Sequence, residues 1–149
     1  MSRLEQLYQE TILEHNKNPR NFKEISQCSH TAHGVNPLCG DDYHIYITLD
    51  DNKITDIGYM GTGCAISKSS ASMMSELVKG KTKDEVIELK NNFLACLTQE
   101  NAEDAKNKIG RLKIFDGVKK YPVRVKCATL IWRALEAALE TNQNEISTE

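Results

Sequence analysis

A cysteine and an aspartate in the first third of the chain could together bind a metal. Residues 36–41 read Asn-Pro-Leu-Cys-Gly-Asp, so Cys39 and Asp41 lie two positions apart at the start of an alternating apolar and polar run. Side chains two positions apart on a β-strand point to the same face. A thiolate and a carboxylate on one face form half of a metal site. The other half must come from distant residues, because the chain contains no Cys-x-x-Cys or His-Glu-x-x-His motif.

Two further cysteines are predicted where helices begin. Cys64 follows two glycines at a strand-to-helix turn, and Cys127 lies in the first turn of the helix predicted behind Pro122. The amide groups at a helix N-terminus favour a thiolate. Thiols that only fill a core normally fall in the middle of apolar periodicity, and these do not. Both cysteines are therefore candidates for the missing half of the site.

A site built from Cys39, Asp41, Cys64 and Cys127 would supply three sulfurs and one oxygen. Four such ligands satisfy the tetrahedral preference of zinc. The hard carboxylate among soft sulfurs suggests a shell in which one ligand can be exchanged when a partner arrives. Spacing leaves open the alternative of three unrelated buried thiols, since the convergence of distant residues cannot be deduced from it.

The remaining cysteines and histidines have simpler interpretations. Cys28, His30 and His33 fall within residues 18–37, a polar stretch predicted to be a solvated loop with at most a short strand; a metal site there is the less favoured alternative. The others are predicted as His15 on a helix face, His44 on the solvent face of a strand and Cys96 packed at a helix end.

Hydrophobic periodicity predicts the elements that would hold these residues. A capping box formed by Thr82 and Glu85 marks the start of one helix, and Asn18-Pro19 marks the end of another. The predicted elements are a helix over residues 3–16, antiparallel strands over 43–50 and 54–60, and helices that begin after Cys64, after Thr82 and behind Pro122.

Two parts of the chain carry no clear pattern. Residues 109–121 have scattered apolar side chains and two glycines, and the polar tail from residue 141 onward is expected to fray. The assigned elements predict an α+β fold, in which a small antiparallel sheet of about three strands is packed by helices on one face.

Composition limits the classes of function. The 149 residues are 40% apolar and 27% charged, with a net charge of −2, as expected of one globular domain. The charge provides no basic field for nucleic acid or anionic membranes, and no long apolar run could span a bilayer. The polar N-terminus does not resemble a signal peptide, so a cytoplasmic location and reduced cysteines are expected.

Four stretches of the sequence resemble the IscU/NifU-like family of iron–sulfur cluster assembly proteins. The phrases NPLCGD, GTGCAISKSSASMM and RVKCATLIWRAL are similar to the three cysteine blocks of that family, in the same order. The phrase LYQETILEHNKNPRNF is similar to its opening helix. The resemblance extends over almost the whole chain and implies one IscU/NifU-N-like domain over residues 1–149.

Within the family, the sequence is most similar to the SufU-type branch. Lys126 precedes the third cysteine, where IscU-type scaffolds carry a histidine, and Arg124 lies three positions before it. The 62 residues between Cys64 and Cys127 exceed the IscU-type spacing, so an inserted segment is expected within residues 91–117.

The resemblance implies a zinc-dependent sulfurtransferase in iron–sulfur cluster biogenesis. Cys39, Asp41, Cys64 and Cys127 would bind zinc, and Cys39 would accept persulfide sulfur from a pyridoxal-phosphate-dependent cysteine desulfurase of the SufS type. The sulfur would pass to a downstream iron–sulfur scaffold complex. Arg124 would steer the acidic groups of the desulfurase or hold a displaced thiolate; its alternative is an ordinary surface charge at the start of a helix.

Two other functions remain compatible with these residues. The same ligands could hold a [2Fe-2S] cluster on a scaffold, with Asp41 tuning its lability. The third interpretation is a structural zinc domain that only mediates protein contacts. Lys126 argues against the scaffold, because it occupies the place of a ligating imidazole and cannot readily replace it.

Overall fold

Helices and strands follow one another in an α+β arrangement, as the periodicity predicts. The structure is a computed structural model and describes residues 2–140 and 145–147. Its elements are α1 (Arg3–Lys17), β1 (His30–Asn36), β2 (Asp41–Asp50), β3 (Lys53–Thr62), α2 (Ala65–Val78), α3 (Lys83–Thr98), α4 (Glu103–Lys106), the 3-10 helix η1 (Gly110–Lys120), α5 (Pro122–Glu140) and β4 (Glu145–Ser147).

The sheet has four strands in the order β3-β2-β1-β4, one more than expected. Strands β1, β2 and β3 are antiparallel neighbours, whereas β4 pairs in parallel with β1. Strand β4 comes from the tail that was expected to fray, and three residues are too few to show periodicity. The rest of that tail, residues 141–144 and 148–149, lies outside the described residues.

Strand β1, seven residues long, occupies the last third of the stretch that was predicted as a loop with at most a short strand. Its buried positions are occupied by Ala32, Gly34 and Asn36 rather than by large apolar residues. Small inward side chains hide the alternation that would have revealed a strand of this length. The space is needed because a Cβ at Gly34 would lie 3.1 Å from Leu130 and 3.3 Å from Ala134 of α5.

Strands β2 and β3 follow the predicted alternation. Tyr43, Ile45 and Ile47 of β2 are buried against the helices, while Asp42 and His44 on the opposite face are exposed. Asp51 and Asn52 join the two strands with φ angles of 50° and 65°. Positive φ at both central residues is typical of the tight turn that joins antiparallel strands.

Helices α2 and α5 pack together through a polar bridge inside the core. The Ser70 hydroxyl of α2 donates to the Ala128 carbonyl of α5 at 2.5 Å. It accepts a hydrogen bond from the Trp132 indole at 3.1 Å, so the buried polar atoms satisfy one another. This bridge fixes the start of α2, and therefore Cys64, relative to Cys127.

The segment between Thr98 and Pro122 folds as α4 and η1. Four side chains of η1 enter the core: Leu112, Ile114, Phe115 and Val118. A 3-10 helix does not show the 3.6-residue period, which explains why periodicity predicted no element over residues 109–121. The inserted segment expected within residues 91–117 stays a prediction. Among the described residues, no helix is both long enough and apolar enough to cross a membrane.

Candidate metal centre

Three of the four predicted ligands lie together at one end of the sheet. The two Sγ atoms of Cys39 and Cys127 and a carboxylate oxygen of Asp41 all lie within 4.8 Å of one another. Cys39 belongs to the turn between β1 and β2, Asp41 begins β2, and Cys127 lies on α5. The turn brings the first two ligands together, and the packing of α5 against β1 adds the third.

The β1–β2 turn positions Cys39 and Asp41 differently. The Cys39 amide donates to the Asn36 carbonyl at 3.2 Å, and Gly40 adopts a φ of 70°, which favours glycine. Cys39 is half-buried at the rim, beside the exposed Leu38. Asp41 returns to the strand with its side chain inward, and only 2% of its surface is accessible.

The Asp41 carboxylate is bonded through only one of its oxygens. Oδ1 accepts from the Cys64 backbone amide at 2.9 Å and from the Ser67 hydroxyl at 3.1 Å. Oδ2 is buried and has no hydrogen-bond partner among the described residues. A buried carboxylate oxygen without a partner is energetically costly. A cation between Oδ2 and the neighbouring sulfurs would remove that cost, so the donor set fits a metal.

Gly63 provides the space in which Asp41 is held. A Cβ at this position would collide with the Ser67 hydroxyl and lie 2.7 Å from Asp41 Oδ1 and 2.9 Å from the Tyr43 hydroxyl. The Tyr43 and Ser67 hydroxyls are 3.3 Å apart and form one polar cluster with the carboxylate. Sequence reasoning associated the glycine only with a tight turn and missed Ser67 and Tyr43.

Cys64 lies beside the three-atom group but is not part of it. It is the N-cap residue of α2, and its Sγ accepts the Ser67 backbone amide at 3.4 Å. Its predicted place at the start of a helix is therefore confirmed. Because its own amide binds Asp41, the thiol is adjacent to the site. Its participation as a fourth ligand stays a prediction.

Cys127 lies deeper than predicted, in the second turn of α5 rather than the first. The helix begins at Pro122, and 2% of the Cys127 surface is accessible. Burial raises the pKa of the Cys127 thiol, and the hydrogen bond to Cys39 and the charge of Cys64 raise it further. The expectation of a thiolate favoured by the helix N-terminus is therefore wrong for Cys127. The protonated thiol donates to Cys39 Sγ at 3.0 Å.

A polar neighbour that the sequence did not reveal completes the surroundings of Cys127. The Asn36 side-chain amide donates to Cys127 Sγ at 3.6 Å, and its Oδ1 is buried without a partner among the described residues. Asn36 is the first residue of the stretch 36–41 that contains Cys39. Its hydrogen bond to Cys127 depends on the position of α5, which is distant in sequence.

Arg124 and Lys126 lie just before Cys127 on α5, outside the ligand group. The Arg124 guanidinium is 4.4 Å from the centre of the Tyr121 ring, and both side chains are exposed. Residues three apart on a helix share a face, so Arg124 is on the side of α5 that carries Cys127. Lys126 lines a groove with Lys119 and Arg133.

The remaining cysteines and histidines have separate surroundings. His15 is buried on α1 and hydrogen-bonded to Ser72 at 2.6 Å, and Cys96 is buried in the core, both as expected. His33 belongs to strand β1 rather than to a loop and meets Asp42 and His44 in a second group of metal-binding atoms. Sequence spacing did not predict this second group.

Comparison with known proteins identifies the family. The family model described as the NifU-like N terminal domain matches residues 7–128. The chain belongs to this family. The resemblance inferred from the three cysteine blocks is confirmed, and the NifU-like domain covers all four predicted ligands.

Relatives of this NifU-like chain carry two kinds of name. It is 35% identical to "Iron-sulfur cluster assembly scaffold protein IscU" of Streptococcus pyogenes serotype M1, over 97% of this chain and 89% of the relative. It is 38% identical to "Zinc-dependent sulfurtransferase SufU" of Bacillus subtilis strain 168, over 89% of each chain. Relatives of both the IscU and the SufU type therefore share the domain.

A solved structure has the same fold. It is described as a scaffold protein for iron–sulfur cluster assembly in the SUF system, from Fervidobacterium islandicum AW-1. The TM-score is 0.82 and the identity 36%, over 91% of this chain and 98% of the other. The predicted α+β architecture of the IscU/NifU-N type is therefore confirmed.

Proposed function

We propose that this NifU-like protein is a zinc-dependent sulfur acceptor in iron–sulfur cluster biogenesis. Cys39 would receive sulfur from a pyridoxal-phosphate-dependent cysteine desulfurase and pass it to a downstream iron–sulfur scaffold complex. The observation that carries the proposal is the arrangement of Cys39, Asp41 and Cys127 around an unpartnered carboxylate oxygen. Similarity to a protein named as a zinc-dependent sulfurtransferase supports it.

Zinc would be held by Asp41, Cys127, Cys39 and Cys64. Two of these sulfurs and the carboxylate already lie within 4.8 Å of one another, and Cys64 is adjacent. Thiolates and a carboxylate are ligands that zinc accepts. When bound, zinc would keep its cysteine ligands deprotonated at neutral pH, including the buried Cys127, whose pKa is raised in the metal-free chain.

Cys39 is the best candidate for the sulfur acceptor because it is the accessible thiol of the pair. It lies half-buried on a turn, whereas Cys127 is almost fully buried. Its thiolate would attack the terminal sulfur of the desulfurase persulfide. A sulfur–sulfur bond forms on Cys39 as that of the persulfide breaks, and the desulfurase cysteine leaves as a thiolate, so no external oxidant is required.

Arg124 would act on the approach of the desulfurase. Its exposed guanidinium, on the same side of α5 as Cys127, would attract acidic groups of the partner. The alternative is a surface charge with no function. Substituting Arg124→Ala should raise the desulfurase concentration needed for half-maximal transfer, while Arg133→Ala, an exposed arginine further along the same helix, should not.

The alternative function is a scaffold that assembles and transfers an iron–sulfur cluster. It is favoured by the name of the Streptococcus pyogenes relative and by a donor set that could equally hold a [2Fe-2S] cluster. Lys126, next to Cys127, argues for the sulfur acceptor because an ammonium group is a poor metal ligand.

The test combines metal analysis with a single-turnover sulfur transfer. The chain purified with its metal should contain zinc and, after mixing with a persulfide-loaded desulfurase, carry a persulfide on Cys39 that mass spectrometry locates. Cys39→Ala should accept no sulfur, whereas Cys28→Ala, which removes another half-buried thiol, should accept it as the unmodified chain does. Undiminished transfer to Cys39→Ala would refute the mechanism. A brown protein with stoichiometric iron and sulfide after anaerobic purification would favour the scaffold.

A further inference from the structure

We propose that His33, Asp42 and His44 form a second cation site, on the face of the sheet opposite the buried core. The ligand atoms of these three residues lie within 4.8 Å of one another. The site would take a divalent first-row transition cation through two imidazole nitrogens and one carboxylate oxygen. It does not depend on the sulfur-transfer function proposed for the cysteines.

Strand pairing brings the three side chains together. His33 of β1 lies directly opposite His44 of β2, and Asp42 is two residues before His44 on the same face. The two imidazole rings are stacked, with centroids 4.1 Å apart and planes 3° from parallel. The His33 Nε2 and Asp42 Oδ1 atoms are 2.6 Å apart. Ligands on two paired strands are held more precisely than ligands on loops.

The donor atoms fit the chemistry of a transition cation. Imidazole nitrogen suits zinc, nickel, copper and iron, and two histidines with one carboxylate leave further positions open for water. At metal–nitrogen distances of about 2.0–2.1 Å, tetrahedral ligands lie roughly 3.4 Å apart. On binding, the His33 Nε2 and Asp42 Oδ1 atoms would move apart from 2.6 Å, and the exposed His44 ring would turn out of its parallel stack to direct a nitrogen at the cation.

The second site is separated from the cysteine centre by the sheet itself. Asp41 and Asp42 are neighbours on β2, but successive side chains on a strand point to opposite faces. Asp41 is buried, whereas 55% of the Asp42 side chain is accessible. The second site contains no sulfur, so it would lack the thiolate signature of the first. The chain would then bind more metal than the cysteine centre accounts for.

The test uses nickel as a paramagnetic probe on the full chain. Two backgrounds are used. The double variant Cys39→Ser, Cys127→Ser lacks the thiol centre, and the unmodified chain preloaded with one equivalent of zinc covers the case in which that variant does not fold. We expect Ni²⁺ to broaden the imidazole NMR signals of His33 and His44 before those of His15 and His30. Calorimetry should give one Ni²⁺ per chain in either background.

Substitution then assigns the ligands. His33→Gln and His44→Gln should each weaken Ni²⁺ binding at least about tenfold. The matched control is His30→Gln, which changes another histidine of β1, outside the group, and should leave binding unchanged. Absence of Ni²⁺ binding in both backgrounds, or equal weakening by His30→Gln, would overturn the proposal.

Discussion

Cys39 and Cys127 lie with their Sγ atoms 3.0 Å apart, although 88 positions separate them in the chain. One sulfur is on a turn at the rim of the sheet, and the other is buried on α5. The contact makes a reactive pair from an accessible thiol and a thiol that burial keeps protonated.

The first prediction concerns oxidation of that pair. Diamide should link Cys39 to Cys127 in the metal-free chain, taking up two electrons and two protons as the disulfide forms, because the sulfurs are already in contact. Bound zinc should slow the reaction. Peptide mapping without reductant would locate the bond. Cys28→Ser should leave the link intact, and a first disulfide through Cys28 or Cys96 would contradict the geometry.

The second prediction concerns the space at Gly63. Gly63→Ala should displace Ser67 and Asp41, weaken zinc binding and lower the free energy of unfolding by about 1–3 kcal/mol. Urea denaturation and zinc titration would measure both effects. Gly117→Ala is the matched control, because a Cβ there meets no atom within 4 Å. Equal effects of the two substitutions would show that the space at Gly63 is not needed to hold Asp41.

The third prediction separates the stability of Asp41 from its metal binding. Asp41→Asn keeps an oxygen that can accept from Cys64 and Ser67 but removes a buried charge, so the metal-free chain should be at least as stable as before. Zinc should stabilise the variant less, by about 1.4 kcal/mol for each tenfold loss of affinity. Urea denaturation with and without zinc would measure this difference.

The matched control for the aspartate is at the other end of the same strand. Asp50→Asn changes an exposed carboxylate of β2 and should leave zinc-dependent stabilisation unchanged. If Asp41→Asn retained the full effect of zinc, the carboxylate would not be a ligand.

The fourth prediction concerns alkaline pH. Burial raises the pKa of Tyr59 from 10.0 to about 12. Below about pH 10 the phenol is protonated in both states, and as pH rises from there toward 12 only the unfolded state ionises, so stability falls. Tyr59→Phe should flatten this loss in urea denaturation curves measured from pH 8 upward. The exposed Tyr121→Phe should not, and identical slopes for the two variants would contradict the prediction.

Short-range features of the fold were predictable from the sequence. The capping box of Thr82 and Glu85 is present with both of its hydrogen bonds, and strand β2 begins at Asp41, with Cys39 on the turn just before it. Both depend on residues only two or three positions apart, where local backbone geometry decides the outcome. The α+β class followed from the same periodicities. The fourth strand was missed because its pairing with β1 is a long-range contact.

What the sequence determined by itself is the set of donors and their local elements: a thiol and a carboxylate two positions apart where a strand begins, Cys64 at a helix start and Cys127 on the last helix. Only the tertiary structure decided how those donors behave. Packing of α5 buries Cys127 and raises its pKa, and strand register places His33 against His44. Burial and register arise from contacts between distant segments, and spacing along a chain does not specify them.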